Sequence, residues 1–213
     1  MAEGPPTRSV KIGADERRGW SSDPPPREGG RPPRPADVSV RGHVLHPADR
    51  LRYSPGSLLV VVSASKADRN SFIERVVEAK GAVLSLDKVR ALLSGRVADD
   101  QVEIRAPELL DAAITKRLQS EESVVVAAEG PDAAERERLV RIAAPLRRPR
   151  HLILLETARG NVPEADLAPL NALRRALDAG ELGTEGFHTA LRLGGGSASE
   201  VKRIVFRPEA RDD

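Results

Sequence analysis

The stretch Ser63-Ala64-Ser65-Lys66-Ala67-Asp68-Arg69-Asn70-Ser71-Phe72 follows the apolar run Leu58-Leu59-Val60-Val61-Val62 and leads into a helical pattern. A phosphate-binding loop occupies that position when its pattern is glycine, four residues of any kind, glycine, lysine, then serine or threonine. In this register the chain supplies Ser63, Asp68, Arg69 and Asn70, so every signature position differs. Such a loop works because its glycines turn backbone N–H groups inward at a helix N-terminus, where partial positive charge favours an anion. Asp68 places a carboxylate there, and two unit charges about 4 Å apart repel by roughly 4 kcal/mol at an effective dielectric near 20. Arg69 is a planar fork rather than a point charge. Asn70 is a weak substitute for the hydroxyl that holds magnesium. A triphosphate in the usual pose is therefore disfavoured. Lys66 and Arg69 remain as a rebuilt anion site or as a polar helix entrance beside Asp68.

The elements that must position these residues follow from hydrophobic patterning. Short Val/Leu-rich runs at 58–62, 82–86, 123–128 and 151–155 lack polar alternation, as expected of parallel strands buried on both faces. Helical spacing lies between them: Phe72 with Val76 and Ile73 with Val77, then Leu110, Ile114 and Leu118 after Pro107, then Leu139, Ile142 and Ala143 opened by Pro131. A fourth helix carries Leu167, Leu170, Leu173 and Leu177 and stops at Gly180. A last strand is expected over 202–206. The Gly194-Gly195-Gly196 turn before it reads as a connection, since no strand-to-helix glycine fingerprint surrounds it. Strands alternating with helices imply an α/β fold, a parallel sheet with flanking helices.

Composition narrows the function classes. Of 213 residues, 31% are charged and only 2% aromatic, which suits one domain packed with aliphatic side chains plus polar tails. Cysteine is absent, which excludes disulfides and thiolate metal sites. His43 and His46 form the one close histidine pair and read as solvated loop residues, so no metal site is assigned. With 34 basic and 32 acidic residues, the charge is too balanced to argue for bulk nucleic-acid binding. No apolar stretch reaches the roughly 18 residues of a membrane span and no apolar signal core opens the chain, so no membrane partner and a cytoplasmic location are expected. Residues 1–50, with Pro24-Pro25-Pro26 and Pro32-Pro33-Arg34-Pro35, read as a disordered Pro/Arg/Gly-rich tail, and 207–213 as a polar C-terminal tail. Short stretches around Val38-Ser39-Val40 and His43-Val44-Leu45 have the composition of an extended arm.

Between residues 57 and 206 the order of segments resembles the kinase domain of bacterial polynucleotide kinases and their P-loop kinase relatives. The second strand runs into Ser85, Asp87 and Arg90, similar to that family's Ser-x-Asp-x-x-Arg segment. Val162-Pro163-Glu164 and Glu185-Gly186-Phe187 are similar to its later landmarks. The resemblance implies a P-loop NTPase fold, Asp87 as general base toward an acceptor hydroxyl, and Arg90 as holder of the acceptor phosphate. It also exposes what is missing. Ala127-Ala128-Glu129-Gly130 stands where the family commonly has Asp-Ala-Thr-Asn, leaving Glu129 as a lone carboxylate. Only 156–161 stands where an arginine-bearing lid helix belongs, with Arg159 its sole candidate clamp. Asp87 is equally explained as the N-cap of the helical run after it.

Phosphoryl transfer depends on positioning and on electrostatic stabilisation of phosphates and magnesium. Loss of loop, strand-end Asp and lid points to a pseudokinase with no cofactor, retaining the fold and an acceptor-type pocket for a protein partner or a nucleic-acid end. An active kinase would instead use Mg-ATP through a donor site of Lys66, Arg69, Asn70 and Arg159. A third reading is a scaffold whose tail recruits a partner.

Overall fold

The computed structural model describes residues 37–207. The expectations that fall on residues 1–36 and 208–213 lie outside the described residues.

The sheet is built from β1 (His43–Val44), β3 (Leu58–Ser63), β4 (Val83–Ser85), β5 (Val124–Ala127), β6 (Arg150–Leu155) and β7 (Thr189–Leu193). These six strands run parallel in the order β1-β7-β6-β3-β5-β4. Strand β3 lies inside the sheet, and all six of its residues are buried. Its side chains alternate between two cores, as a strand's period of two requires. Leu58, Val60 and Val62 meet Leu110, Ile114, Leu139, Leu170 and Leu173 on one face. Leu59 and Val61 meet Phe72, Ile73 and Val76 on the other.

The first core is covered by α3 (Asp99–Gln119), α4 (Ala133–Ala143) and α5 (Glu164–Asp178). The second is covered by α1 (Lys66–Val76) and by a separate two-stranded parallel sheet, β2 (Arg50–Tyr53) with β8 (Arg203–Phe206). The α/β reading therefore holds, while the last predicted strand joins this small sheet rather than the main one. Helix α2 (Leu86–Leu93) and the five-residue α6 (Gly196–Glu200) complete the set. No helix among the described residues is long and apolar enough to cross a membrane.

Differences from expectation include the start of α3 and the N-terminal arm. Helix α3 begins eight residues before Pro107, which sits inside it. An interior proline costs about 3 kcal/mol. The apolar stripe Val102, Ala106, Leu110, Ile114 and Leu118, spaced every four residues and buried, carries the helix through. Within the expected tail, residues 37–50 are ordered parts of the fold. The backbone N–H groups of Val40, His43 and Leu45 donate to the carbonyls of Gly183, His188 and Ala190 at 2.8–2.9 Å. This arm closes one edge of the sheet, where β7 would otherwise leave donors and acceptors unpaired.

The arm is held by close backbone approach. A Cβ on Gly183 would stand 2.5 Å from the Val40 carbonyl oxygen, and one on Gly42 2.8 Å from the Gly183 nitrogen. Gly186 has φ +101° and passes so close to Val140 and Val38 that a Cβ would meet them at 2.7 and 2.9 Å. Beside it Arg136, 3% exposed, donates to both carboxylate oxygens of Glu185 at 2.9 and 3.1 Å and to the Pro131 carbonyl at 2.7 Å.

Candidate functional site

Neighbouring strands β3 and β5 send their following helices to opposite faces: α1 joins the second core and α4 the first. Such a divergence opens a crevice at the carboxyl ends of the strands, the usual place for a ligand in an open α/β sheet. The residues that follow β3, β4 and β5 all reach it.

The turn after β3 is shorter than the sequence register allowed. Only Ala64 and Ser65 separate the strand from α1, and Asp68, Arg69 and Asn70 lie in the helix instead of a loop. Ser65 caps α1, its hydroxyl accepting from the Asp68 N–H at 3.2 Å. The Ser65 N–H in turn donates to the Ser63 hydroxyl at 3.2 Å, and that hydroxyl pairs with Thr157 at 3.0 Å. Two N–H groups of the kind an anion would use are thus already spent on serine oxygens. An eight-residue loop around a phosphate has no room here.

Arg69 is fully buried, at 0% exposure. Its guanidinium donates to the Ala128 carbonyl and, at 3.0 and 3.1 Å, to the Asn70 side-chain oxygen. Burial pulls its pKa below the ordinary arginine value, opposed by the charges of Glu129, Asp87 and Glu135. Expected as a nucleotide ligand, Arg69 lies behind the crevice wall, and it occupies the Asn70 oxygen as well. Arg159 opens a three-residue 3-10 turn, Arg159–Asn161, between β6 and α5.

Lys66, Asp87, Arg90 and Glu129 do come together. Lys66 Nζ lies 3.1 Å from Glu129 Oε2 and 3.9 Å from Asp87. Arg90 Nη1 lies 3.0 Å from the same Glu129 oxygen and 3.4 Å from Asp87. The remaining donors of Arg90 are taken by Glu103 of α3, at 2.9–3.2 Å. Two cations thus face three carboxylates, a formal balance of −1. The hydrogen bonds that Arg90 donates to the carboxylates of Glu103 and Glu129 raise its pKa above the ordinary arginine value. Burial pushes the Glu129 carboxyl up, but hydrogen bonds from Arg90 and Lys66 and their charges outweigh it and hold the group below its usual range.

The cap of α2 is Ser85, whose hydroxyl accepts from the Lys88 N–H at 3.2 Å, and not Asp87. Asp87 is the second helical residue, 47% exposed in its side chain. It also stands at the rim of a groove of about 560 Å³ whose apolar wall is Ile73, Val83, Ala91 and Ala127. Sequence reasoning missed Glu103 and Glu135. Glu135 accepts from the Glu129 N–H at 2.9 Å, and burial raises its own pKa. Neither carried a local signal, because each reaches the crevice only after its helix is packed. Among the described residues no group of three or more His, Asp or Glu side chains is arranged to hold a metal ion, and His43 and His46 are both exposed.

No protein-family model matches the chain, and no curated protein matches it either.

Proposed function

We propose that this chain is a kinase-like α/β protein without phosphoryl-transfer activity, a pseudokinase that works by binding. The observation that carries the reading is the neutralisation at the strand ends: the two cations that converge on Glu129, Lys66 and Arg90, are already paired with the chain's own carboxylates. Phosphoryl transfer needs free positive charge for the donor phosphates and a carboxylate or hydroxyl set for magnesium. The two-residue turn after β3 and the burial of Arg69 remove the other usual sources of that charge. The resemblance to P-loop kinases gains support from the parallel sheet and from the crevice lying where β3 and β5 diverge. What is left for a partner is the groove of Ile73, Val83 and Ala91, with Asp87 at its rim. Its occupant, on this reading, is a protein segment or a nucleic-acid end.

Thermal unfolding with and without millimolar Mg-ATP tests the reading. A ligand at 100 times its dissociation constant adds about 2.7 kcal/mol, and each kcal/mol raises the midpoint of a domain of this size by roughly 2 to 4 °C. No shift is expected, and no labelled phosphate is expected to reach a 5′-hydroxyl oligonucleotide. A clear shift accompanied by transfer, lost in Lys66→Ala, would replace the proposal with an active kinase.

A further inference from the structure

Lys66 Nζ and Arg90 Nη1 approach one and the same oxygen, Oε2 of Glu129, at 3.1 and 3.0 Å. They arrive from the ends of different strands, Lys66 after β3 and Arg90 after β4. Two charge-assisted donors converging on a single oxygen is the arrangement by which a protein grips a carboxylate or phosphate. Here the chain supplies the oxyanion itself.

Glu129 fills that role with one oxygen only. It lies in the turn between β5 and α4, outside both elements. Its second oxygen, Oε1, is buried and accepts no hydrogen bond from the described residues. A buried acceptor without a donor forfeits the hydration it would have in water. The carboxylate is gripped at one oxygen and left without a donor at the other, a poorer match to the site than an oxyanion satisfied at both.

We infer that Glu129 is an internal plug in a latent oxyanion site, its carboxylate standing in for a carboxylate or phosphate group of a ligand on Lys66 and Arg90. The inference rests on the reading that the native crevice is self-filled. Removing the Glu129 charge takes the balance of the five crevice side chains from −1 to neutral. Lys66 stands in the first turn of α1 and Asp87 in the first turn of α2, so both helices begin beside the cluster. Asp87 and Glu103 stay on Arg90 and keep the affinity modest. The site is therefore one for a ligand present at high local concentration, such as an acidic or phosphorylated group delivered by a partner already seated in the neighbouring groove.

The test uses the full chain and two variants. Glu129→Gln keeps the shape and removes the charge, and Glu129→Ala empties the position. Unfolding is followed in millimolar inorganic phosphate or acetate against chloride at equal ionic strength. The wild type is expected to show no oxyanion-specific shift, and both variants a rise in midpoint of at least about 2 °C. Adding Arg90→Ala is expected to abolish that rise. The phosphate and acetate arms distinguish a phosphate site from a carboxylate site. The inference is overturned by no rise in either folded variant, by the same rise in the wild type, by a rise that survives Arg90→Ala, or by failure of both variants to fold, since a plug is dispensable for the fold. A Mg-ATP shift in the wild type would remove the functional proposal, whereas missing oxyanion shifts in the variants remove only the plug.

Discussion

The crevice at the ends of β3, β4 and β5 and the clasp that holds residues 38–45 both contain arginine–carboxylate pairs, yet they are held in different ways. In the crevice Lys66, Asp87, Arg90, Glu103 and Glu129 are 28–64% exposed, and each charge has an opposite neighbour. In the clasp Arg136 is 3% exposed, Phe187 is fully buried, and glycine backbones pass too close to admit a side chain. Exposed ion pairs are worth little, with a median of about 0–1 kcal/mol, because solvent competes for both partners. Buried ones are costly to break. The same contrast sorts the resemblance motifs. Glu185-Gly186-Phe187 is accounted for by packing: an ion pair, a positive φ and a core ring. Of Ser85, Asp87 and Arg90, Ser85 caps α2, whereas Asp87 and Arg90 belong to the partly exposed ion-pair network, Arg90 bridging α2 to Glu103 of α3 and to Glu129.

Breaking the clasp gives the largest effect. Gly186→Ala forces a Cβ into a φ of +101° and against Val140 and the Val38 carbonyl. Strain and overpacking together are expected to cost about 2 to 4 kcal/mol, read as a lower denaturation midpoint. Residues 38–45 should then exchange their amide hydrogens faster, because the clasp holds them. An unchanged midpoint would mean that the arm does not depend on this contact. Arg136→Ala comes next, at about 2 to 3 kcal/mol, because it removes the bond to Pro131 and strands the partly exposed Glu185. Arg136→Met paired with Glu185→Gln should recover part of the loss, since it buries no unpaired charge. A double variant as unstable as Arg136→Ala would count against that account.

Legibility in the sequence followed the same division. The Val/Leu runs of β3, β5 and β6 and the leucine spacing of α5 were plain, because residues buried on both faces or along one helix stripe have no freedom of type. Strand β7 escaped notice because Arg192 interrupts Thr189–Leu193, and that arginine reaches outward to Glu156 and Asp178. Strand β2 alternates Arg50, Leu51, Arg52 and Tyr53, too short to stand out from a charged linker until β8 pairs with it. In the site, the positions of Lys66, Asp87 and Arg90 followed from strand ends. Their partners did not: Glu103 meets Arg90 only through the packing of α2 on α3, and the burial of Arg69 depends on α1 starting at Lys66. A register drawn from a loop pattern could not reveal that only a two-residue turn separates β3 from α1.

The smallest effects lie in the crevice, and two of them separate the cap from the charge. Ser85→Ala removes the hydroxyl that accepts from Lys88 N–H and is expected to cost about 1 kcal/mol. Asp87→Asn leaves that bond intact. It weakens contacts at 3.4 and 3.9 Å to Arg90 and Lys66, both of which keep Glu129, and it reduces a favourable charge in the first turn of α2. Because Asp87 is 47% exposed, water screens these terms, and the expected loss is below about 0.5 kcal/mol. Salt should shrink it further, since the pairs are open to counterions. Urea denaturation of the two variants side by side decides the matter. If Asp87→Asn costs as much as Ser85→Ala and the cost persists in high salt, the carboxylate is part of the helix start after all. If it costs almost nothing, Asp87 is free of structural duty, and its presence beside the groove is left for binding to explain.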